Sequence, residues 1–178
     1  MAKKNNVTNE IIEGVIDFGG EAALALASLS ATGPTGLLAS GLLIAGKRFL
    51  GILLTQKEKD RVEHVYEMAI MQILKKLESG SNPRKDLNRE RYIELTEGTL
   101  LKAKDTYEEK KLPLIANLLA TAPFTSTPIE NLNQTLIYGE QLSYRQLCEI
   151  AVVGQNEWGG KLKLSNKTMQ PSLKTSQS

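Results

Sequence analysis

Residues 22–46 read AALALASLSATGPTGLLASGLLIAG and contain no charged side chain. As one continuous helix this stretch would be about 38 Å long, at 1.5 Å per residue. The hydrocarbon core of a bilayer is about 30 Å thick. The length of the stretch is therefore sufficient for one transmembrane helix, and the interpretation of the whole chain depends on whether it forms one.

The middle of the stretch contains Gly33-Pro34-Thr35-Gly36, which favours a kink or a complete turn because proline removes a backbone donor and clashes with the preceding helical turn. If the chain reverses there, each arm is only about 18 Å of helix. Such an arm is too short to cross a bilayer without its flanking residues. The sequence therefore allows either a single span or a helical hairpin.

Small residues dominate this apolar stretch and recur at a spacing of four. Side chains this small let helices approach closely, which is how helices associate in lipid. We therefore predict that the stretch packs against copies of itself. The alternatives are a monomeric anchor that simply tolerates small residues and a soluble fold that buries the whole hairpin. The residues predicted to pack between copies are Ala23, Ala27, Ala31, Gly36, Ser40, Gly41 and Ala45.

Four carboxylates precede the apolar stretch, three or four residues apart, so they would share one face of a helix. In a ring of copies they would form stacked carboxylate rings that favour cations. The alternative is an acidic face exposed to solvent near the membrane. These candidate pore-lining residues are Glu10, Glu13, Asp17 and Glu21.

The basic residues nearest the apolar stretch lie on its C-terminal side and include Lys47, Arg48, Lys57 and Lys59. The positive-inside tendency predicts that the helical part of the chain on this side is cytoplasmic. We divide the chain into an amphipathic and apolar N-terminal segment (1–54), a helical bundle (55–154) and a disordered polar tail (155–178). The predicted class is all-α: an apolar transmembrane helix or hairpin followed by a small helical bundle.

Helix signals are clear in the predicted bundle. Thr55-Gln56-Lys57-Glu58 is a capping box, and Gly80 marks the end of the helix that it begins. A longer helical stretch over residues 87–122 is expected to kink at Pro113 and to direct Tyr107 and Leu114 into the core. Thr127 and Ser143 are predicted to cap two short helices that come after it.

Composition excludes several chemistries. The formal charge is only +2, and no predicted helix gathers the lysines and arginines that phosphate binding needs, so we expect no direct nucleic-acid binding. One cysteine and one histidine are too few for a zinc site, and no glycine-rich phosphate loop is present. We predict no metal, no cofactor, no catalytic residue and no enzymatic activity.

One pair of residues needs weighing against that expectation. Arg61 and His64 share a helix face and would suit proton transfer in RNA cleavage. The helical ribonucleases of the HEPN class carry arginine and histidine separated by four to six residues, whereas here two residues separate them. We interpret Arg61 and His64 as an exposed pair on an amphipathic helix, with a divergent ribonuclease as the third-ranked hypothesis.

An apolar N-terminal segment joined to a compact helical domain with the incomplete Arg61 to His64 pair resembles a known family, the small membrane accessory proteins of type VI-B CRISPR systems. The resemblance implies an oligomeric membrane pore in antiviral defence, acting in functional partnership with an RNA-guided ribonuclease. The leading hypothesis is accordingly a homo-oligomeric pore that permeabilises the inner membrane, with copies of itself and the lipid bilayer as partners. The alternative is a soluble helical interaction module that buries the apolar hairpin in an oligomer core.

Overall fold

The computed structural model describes residues 33–50 and 54–158, and within those ranges the chain is entirely helical, with no strand. The predicted all-α class is confirmed. Two short 3-10 helices span Glu109–Lys111 and Ala122–Phe124. The α-helices are α1 (Pro34–Leu50), α2 (Gln56–Glu78), α3 (Arg89–Asp105), α4 (Leu112–Thr121), α5 (Ile129–Gln141) and α6 (Tyr144–Trp158).

Helix α1 begins at Pro34, and Gly33 before it has a φ of 91°. Glycine tolerates this left-handed conformation because it lacks a Cβ atom, and proline fits the start of a helix, where its missing N–H is not needed. The predicted break at this point is confirmed. Among the residues that the structure describes, no helix is both long and apolar enough to cross a membrane.

Helix α2 begins as its capping box predicts. The Thr55 hydroxyl accepts a hydrogen bond from the Glu58 backbone, and the Glu58 carboxylate accepts one from the Thr55 backbone N–H at 2.7 Å. Hydrogen bonds from the side chain and then the backbone of Thr55 hold the pKa of Glu58 below its usual value. The helix ends before Gly80, which has a φ of 84°.

The predicted helical stretch over residues 87–122 is interrupted, and the kink predicted at Pro113 is wrong. Helix α3 stops at Asp105, and Thr106 is extended, while Pro113 lies in the first turn of α4, where it is tolerated. The interruption changes the helical phase that the periodicity argument assumed. Tyr107 is consequently 82 % exposed and Leu114 45 % exposed, so their predicted core positions are wrong.

Two other predicted helix ends need revision. The Thr127 hydroxyl pairs with Thr125 instead of capping α5, which starts at Ile129 without a side-chain cap. Helix α6 begins at Tyr144 as predicted but continues to Trp158, so residues 155–158, assigned to a disordered tail, are helical. Residues 159–178 lie outside the described residues.

The chain divides into two compact units after Tyr144. In the first unit, α3 packs against α1, α2, α4 and α5, and α2 packs against α4. The core side chains come from all five of these helices, including large residues that are inaccessible to solvent. The largest are Leu38, Leu42, Phe49, Tyr66, Ile70, Ile73, Tyr92, Leu95, Leu100 and Leu119. The second unit begins at Arg145 and its described part is the rest of α6.

Candidate functional site

The second half of the small-residue stretch forms α1 and lies against two tyrosines of its own chain. A Cβ atom on Gly46 would lie 2.8 Å from the Tyr66 hydroxyl oxygen, and one on Gly41 would lie 3.3 Å from Cδ1 of Tyr92. Both distances are shorter than ordinary van der Waals contact. The glycines therefore allow the helix backbone to approach the rings more closely than any other residue would.

The other predicted packing residues of α1 surround this contact. Ala45 and Gly41 are buried, while Gly36 and Ser40 are half-buried. Ser40 donates its hydroxyl hydrogen bond to the Leu37 carbonyl of the same helix. Gly41 and Ala45 thus pack inside the chain, and a role for any of these residues between copies stays a prediction.

Tyr66 and Tyr92 are polar groups in the centre of this packing. The Tyr66 hydroxyl donates to the Leu42 carbonyl at 2.9 Å, and the Tyr92 hydroxyl donates to the Leu119 carbonyl at 3.4 Å. Burial raises the pKa of both phenols well above the usual value of a tyrosine. Both side chains are consequently neutral donors at physiological pH, and Tyr66 joins α2 to the backbone of α1.

An ion pair at the C-terminal end of α1 adds a second connection. Arg48 donates to the Glu97 carboxylate of α3 at 3.1 Å, and the arginine side chain is 63 % exposed. Lys47 is also in the last turn of α1, where positive charge is favourable to the helix dipole. Because the pair is solvated, it contributes to the orientation of α1 more than to its stability.

The remaining residues of the predicted pore-lining and packing set lie outside the described residues. They are Glu10, Glu13, Asp17, Glu21, Ala23, Ala27 and Ala31. Their predicted acidic stripe and spacing of small residues stay predictions.

The structure separates the roles of Arg61 and His64. Arg61 Nη1 donates to the carbonyls of Lys104 and Thr106, the first at 3.1 Å, and thereby satisfies backbone acceptors at the C-terminal end of α3. His64 is exposed on α2. The arginine therefore joins two helices, a structural role that the sequence spacing did not indicate.

Sequence reasoning also missed a buried lysine near the end of α5. Lys111 is 4 % exposed, and its Nζ donates to the Glu140 carbonyl at 3.1 Å and lies 3.7 Å from the Glu108 carboxylate. Glu108 in turn accepts a hydrogen bond from the Tyr144 backbone N–H at 2.8 Å. The charged run that contains Lys111 is typical of an exposed helix face, so its composition gave no signal of burial.

Two shallow cavities in the first unit offer no catalytic constellation. One, of about 220 Å³, contains the ion pairs Arg84 with Asp86 and Arg91 with Glu130, so its positive and negative charges balance. The other, of about 400 Å³, lies beside Leu37 at the start of α3. In the described ranges, no group of three or more histidine, cysteine or acidic side chains is arranged to hold a metal ion.

Comparison with known proteins found no family model, no curated protein and no solved structure that matches this chain.

Proposed function

We propose that this chain is an all-helical interaction module in which α1 is a permanent helix of the bundle. The observation that supports the proposal is the fit of α1 to Tyr66 and Tyr92, where two glycines receive the rings and the Leu42 carbonyl accepts a hydrogen bond. In this fit α1 packs against side chains of its own chain.

The proposed module acts by binding other proteins, because its partly buried charged side chains connect one helix to another. Arg61 and Lys111 each donate to the carbonyls that end a helix. The surfaces available for protein partners carry exposed apolar side chains, and a second copy of the chain is the partner we expect first. In the first unit these exposed side chains are Leu37, Met71, Leu101, Tyr107, Leu114, Ile137 and Tyr138.

Flotation of the purified chain with vesicles of uncharged phosphatidylcholine, at neutral pH, tests the proposal. The chain should remain in the dense fraction, below the floating vesicles, and light scattering should give one defined molecular mass in buffer without detergent. An alkaline wash is less suitable here, because burial raises the pKa of Tyr66 and Tyr92, so that the bundle loses stability as the pH rises above the unfolded tyrosine value. Recovery of the chain only in detergent, or its integral insertion into these vesicles, would contradict the module.

The second candidate function is the homo-oligomeric pore of the inner membrane, with the helical unit on the cytoplasmic side. It is favoured by the absence of charge over residues 22–46, of which the structure describes only the part from Gly33 onwards. The partnership with an RNA-guided ribonuclease in antiviral defence belongs to this candidate. Release of a trapped dye from vesicles by the purified chain would support it, and intact vesicles at every protein concentration would count against it.

A ribonuclease function ranks third, and paired variants separate it from a structural role. We expect His64→Ala to leave the melting temperature unchanged, because the imidazole is exposed. Arg61→Met should lower stability by about 2 kcal/mol, since two carbonyls lose a charged donor. RNA cleavage that is present in the unaltered chain and absent from the His64 variant would revive the enzymatic hypothesis.

A further inference from the structure

Arg84, in the connection between α2 and α3, is a mostly buried arginine whose hydrogen bonds are incomplete. Its side chain is 20 % exposed, and its Nη1 donates to the carbonyls of Thr125 and Thr127 at 3.4 and 3.2 Å. The Nε atom is buried and has no hydrogen-bond partner among the residues that the structure describes. A buried donor without a partner is unfavourable and rare in folded proteins, and the binding of an ion is one physical reason for keeping it.

A nearby carboxylate compensates the charge of this arginine only in part. Oδ1 of Asp86 lies 3.5 Å from Arg84 Nε without making a hydrogen bond, and the Asp86 side chain is 82 % exposed. Solvent screens an ion pair of this kind, so the attraction is weak. An anion placed in line with the N–H bond of Nε would make the stronger, charge-assisted hydrogen bond. Asp86 therefore competes only weakly with such an anion.

Arg84 lines the cavity of about 220 Å³ beside the start of α5, where other hydrogen-bond donors are also found. Arg91 of α3 lines the same cavity, and its pair with Glu130 is solvated, since both side chains are more than half exposed. Ser126 is exposed there and adds an uncharged hydroxyl. A cavity of about 15 Å³ is enough to hold one water molecule, so this one has room for a small ion.

The first turn of α5 also lines the cavity, through Ile129 and Glu130. This helix has 13 residues and begins without a side-chain cap, because the Thr127 hydroxyl pairs with Thr125. The first N–H groups of a helix have no partner within the helix and carry partial positive charge, which attracts anions. The helix terminus thus adds backbone donors to a site that the two arginines define.

We propose that this cavity binds a phosphate group, held by Arg84 Nε, by the Arg91 guanidinium and by the first N–H groups of α5. A phosphate presents oxygens in several directions, which suits donors that come from three separate parts of the chain, whereas a carboxylate has only two oxygens in one plane. Binding displaces the exposed carboxylates of Asp86 and Glu130 from the two arginines. The proposal goes beyond the interaction module, because it assigns a small anionic ligand to residues outside α1.

Titration of the isotope-labelled full chain with inorganic phosphate, followed by nuclear magnetic resonance at constant ionic strength and neutral pH, tests the proposal. The Nε–H resonance of Arg84 and the backbone N–H resonances of Ile129 and Glu130 should shift together along one saturating curve. Acetate should bind more weakly, because it engages fewer of the donors. O-Phosphoserine is the second probe. Tighter binding than inorganic phosphate would identify a phosphomonoester as the ligand, and weaker binding would identify the free ion.

Three substitutions at charged side chains distinguish the cavity from general attraction to positive charge. Arg91→Gln should weaken phosphate binding about ten-fold, because a charged donor is lost. Asp86→Asn should tighten it about three-fold, because the competing carboxylate is removed. Lys85→Gln is the matched control, since this exposed lysine precedes Asp86 but does not line the cavity, and the affinity should change less than about two-fold. All three variants keep Arg84 and its bonds to the two carbonyls, which preserves the fold around the cavity.

Four results would overturn the proposal. The first is an absence of shifts at Arg84 and Ile129 at every phosphate concentration. The second is equal binding of acetate and phosphate. The third is equal weakening by Arg91→Gln and Lys85→Gln, which would indicate non-specific attraction. The fourth is an Asp86→Asn variant that binds phosphate no more tightly than the unaltered chain. None of these results bears on the packing of α1, so the proposed module is judged by its own experiment.

Discussion

Helices α1 and α6 both contain many apolar residues, but most of these residues are buried in α1 and exposed in α6. In α1 the side chains of Leu38, Leu42 and Phe49 are inaccessible or nearly so, whereas in α6 Ile150 and Val153 are more than half exposed. The difference lies in their partners. Helix α1 offers glycines to two tyrosine rings of the first unit, while nothing lies within 4 Å of a Cβ placed on Gly154 of α6.

The hydropathy of a helix indicates that its apolar side chains favour burial, but it does not identify the residues or molecules that bury them. The residues that pack against α1 are distant from it in sequence. For example, the Tyr66 hydroxyl donates to the Leu42 carbonyl, 24 residues away along the chain. In α6 the side chains of Ile150, Val152 and Val153 are each more than half exposed. Substitutions at matched positions of α1 and α6 measure how much this difference in burial contributes to stability.

The largest contrast is expected for truncation of one apolar side chain in each helix. Phe49→Ala should lower the free energy of unfolding by about 3–5 kcal/mol, because it leaves a cavity in a closely packed core. Val153→Ala should change the same quantity by less than about 0.5 kcal/mol. Urea unfolding followed by far-ultraviolet circular dichroism measures both. Similar small effects for the two variants would mean that α1 is not part of the core.

The next contrast compares one glycine in each helix. Gly46→Ala should destabilise the bundle by about 2 kcal/mol, because the new methyl group meets the buried Tyr66 hydroxyl at 2.8 Å. Gly154→Ala should instead stabilise α6 by about 0.5–1 kcal/mol, since alanine has the higher helix propensity and nothing obstructs it. Thermal unfolding reports the first effect and amide hydrogen exchange within α6 reports the second. A Gly46 variant as stable as the unaltered chain would show that the close approach of α1 is not needed.

Alkaline pH tests the two buried tyrosines against which α1 packs. Burial raises the folded-state pKa of Tyr66 and Tyr92 above the unfolded value of about 10. Above that unfolded value the native state binds more protons than the unfolded state, so stability falls as pH rises. Tyr66→Phe should cost about 1 kcal/mol at neutral pH by loss of its hydrogen bond, and should flatten the alkaline decline. An unchanged alkaline slope in this variant would contradict the buried phenol.

The helix signals that the sequence supplies correctly are local ones. The Thr55 to Glu58 capping box, the break at Gly33 and Pro34, and the stop at Gly80 all depend on residues within one turn, and the structure contains each of them. The helical phase of α2 runs without interruption from that cap, and the apolar residues at helical spacing that it buries are Val62, Val65, Tyr66, Ala69, Ile70 and Ile73.

The errors of the sequence interpretation arise from contacts between distant residues. The periodicity places Tyr107 in the core only if the helix extends past Asp105, where Arg61 of α2 binds the carbonyls that end α3. Periodicity cannot show a donor that arrives from another helix. For the same reason the small residues of α1 do not identify Tyr66 and Tyr92 as the groups they pack against, and their packing between copies stays a prediction.

The smallest expected contrast concerns the ion pairs of the two helices. Arg48 of α1 pairs with Glu97 of α3, whereas Arg145 of α6 pairs with Glu149 one turn away in the same helix. Double-mutant cycles to alanine should give a coupling of about 0.2–1 kcal/mol for the first pair and about 0.3–0.5 kcal/mol for the second.

Charge reversal tests whether the attraction between Arg48 and Glu97 helps to hold α1 in place. Arg48→Glu alone should destabilise the attachment of α1 through repulsion from Glu97, and Arg48→Glu with Glu97→Arg should restore it, as measured by thermal unfolding. No recovery in the double variant would mean that the pair of Arg48 with Glu97 does not contribute to holding α1 in place.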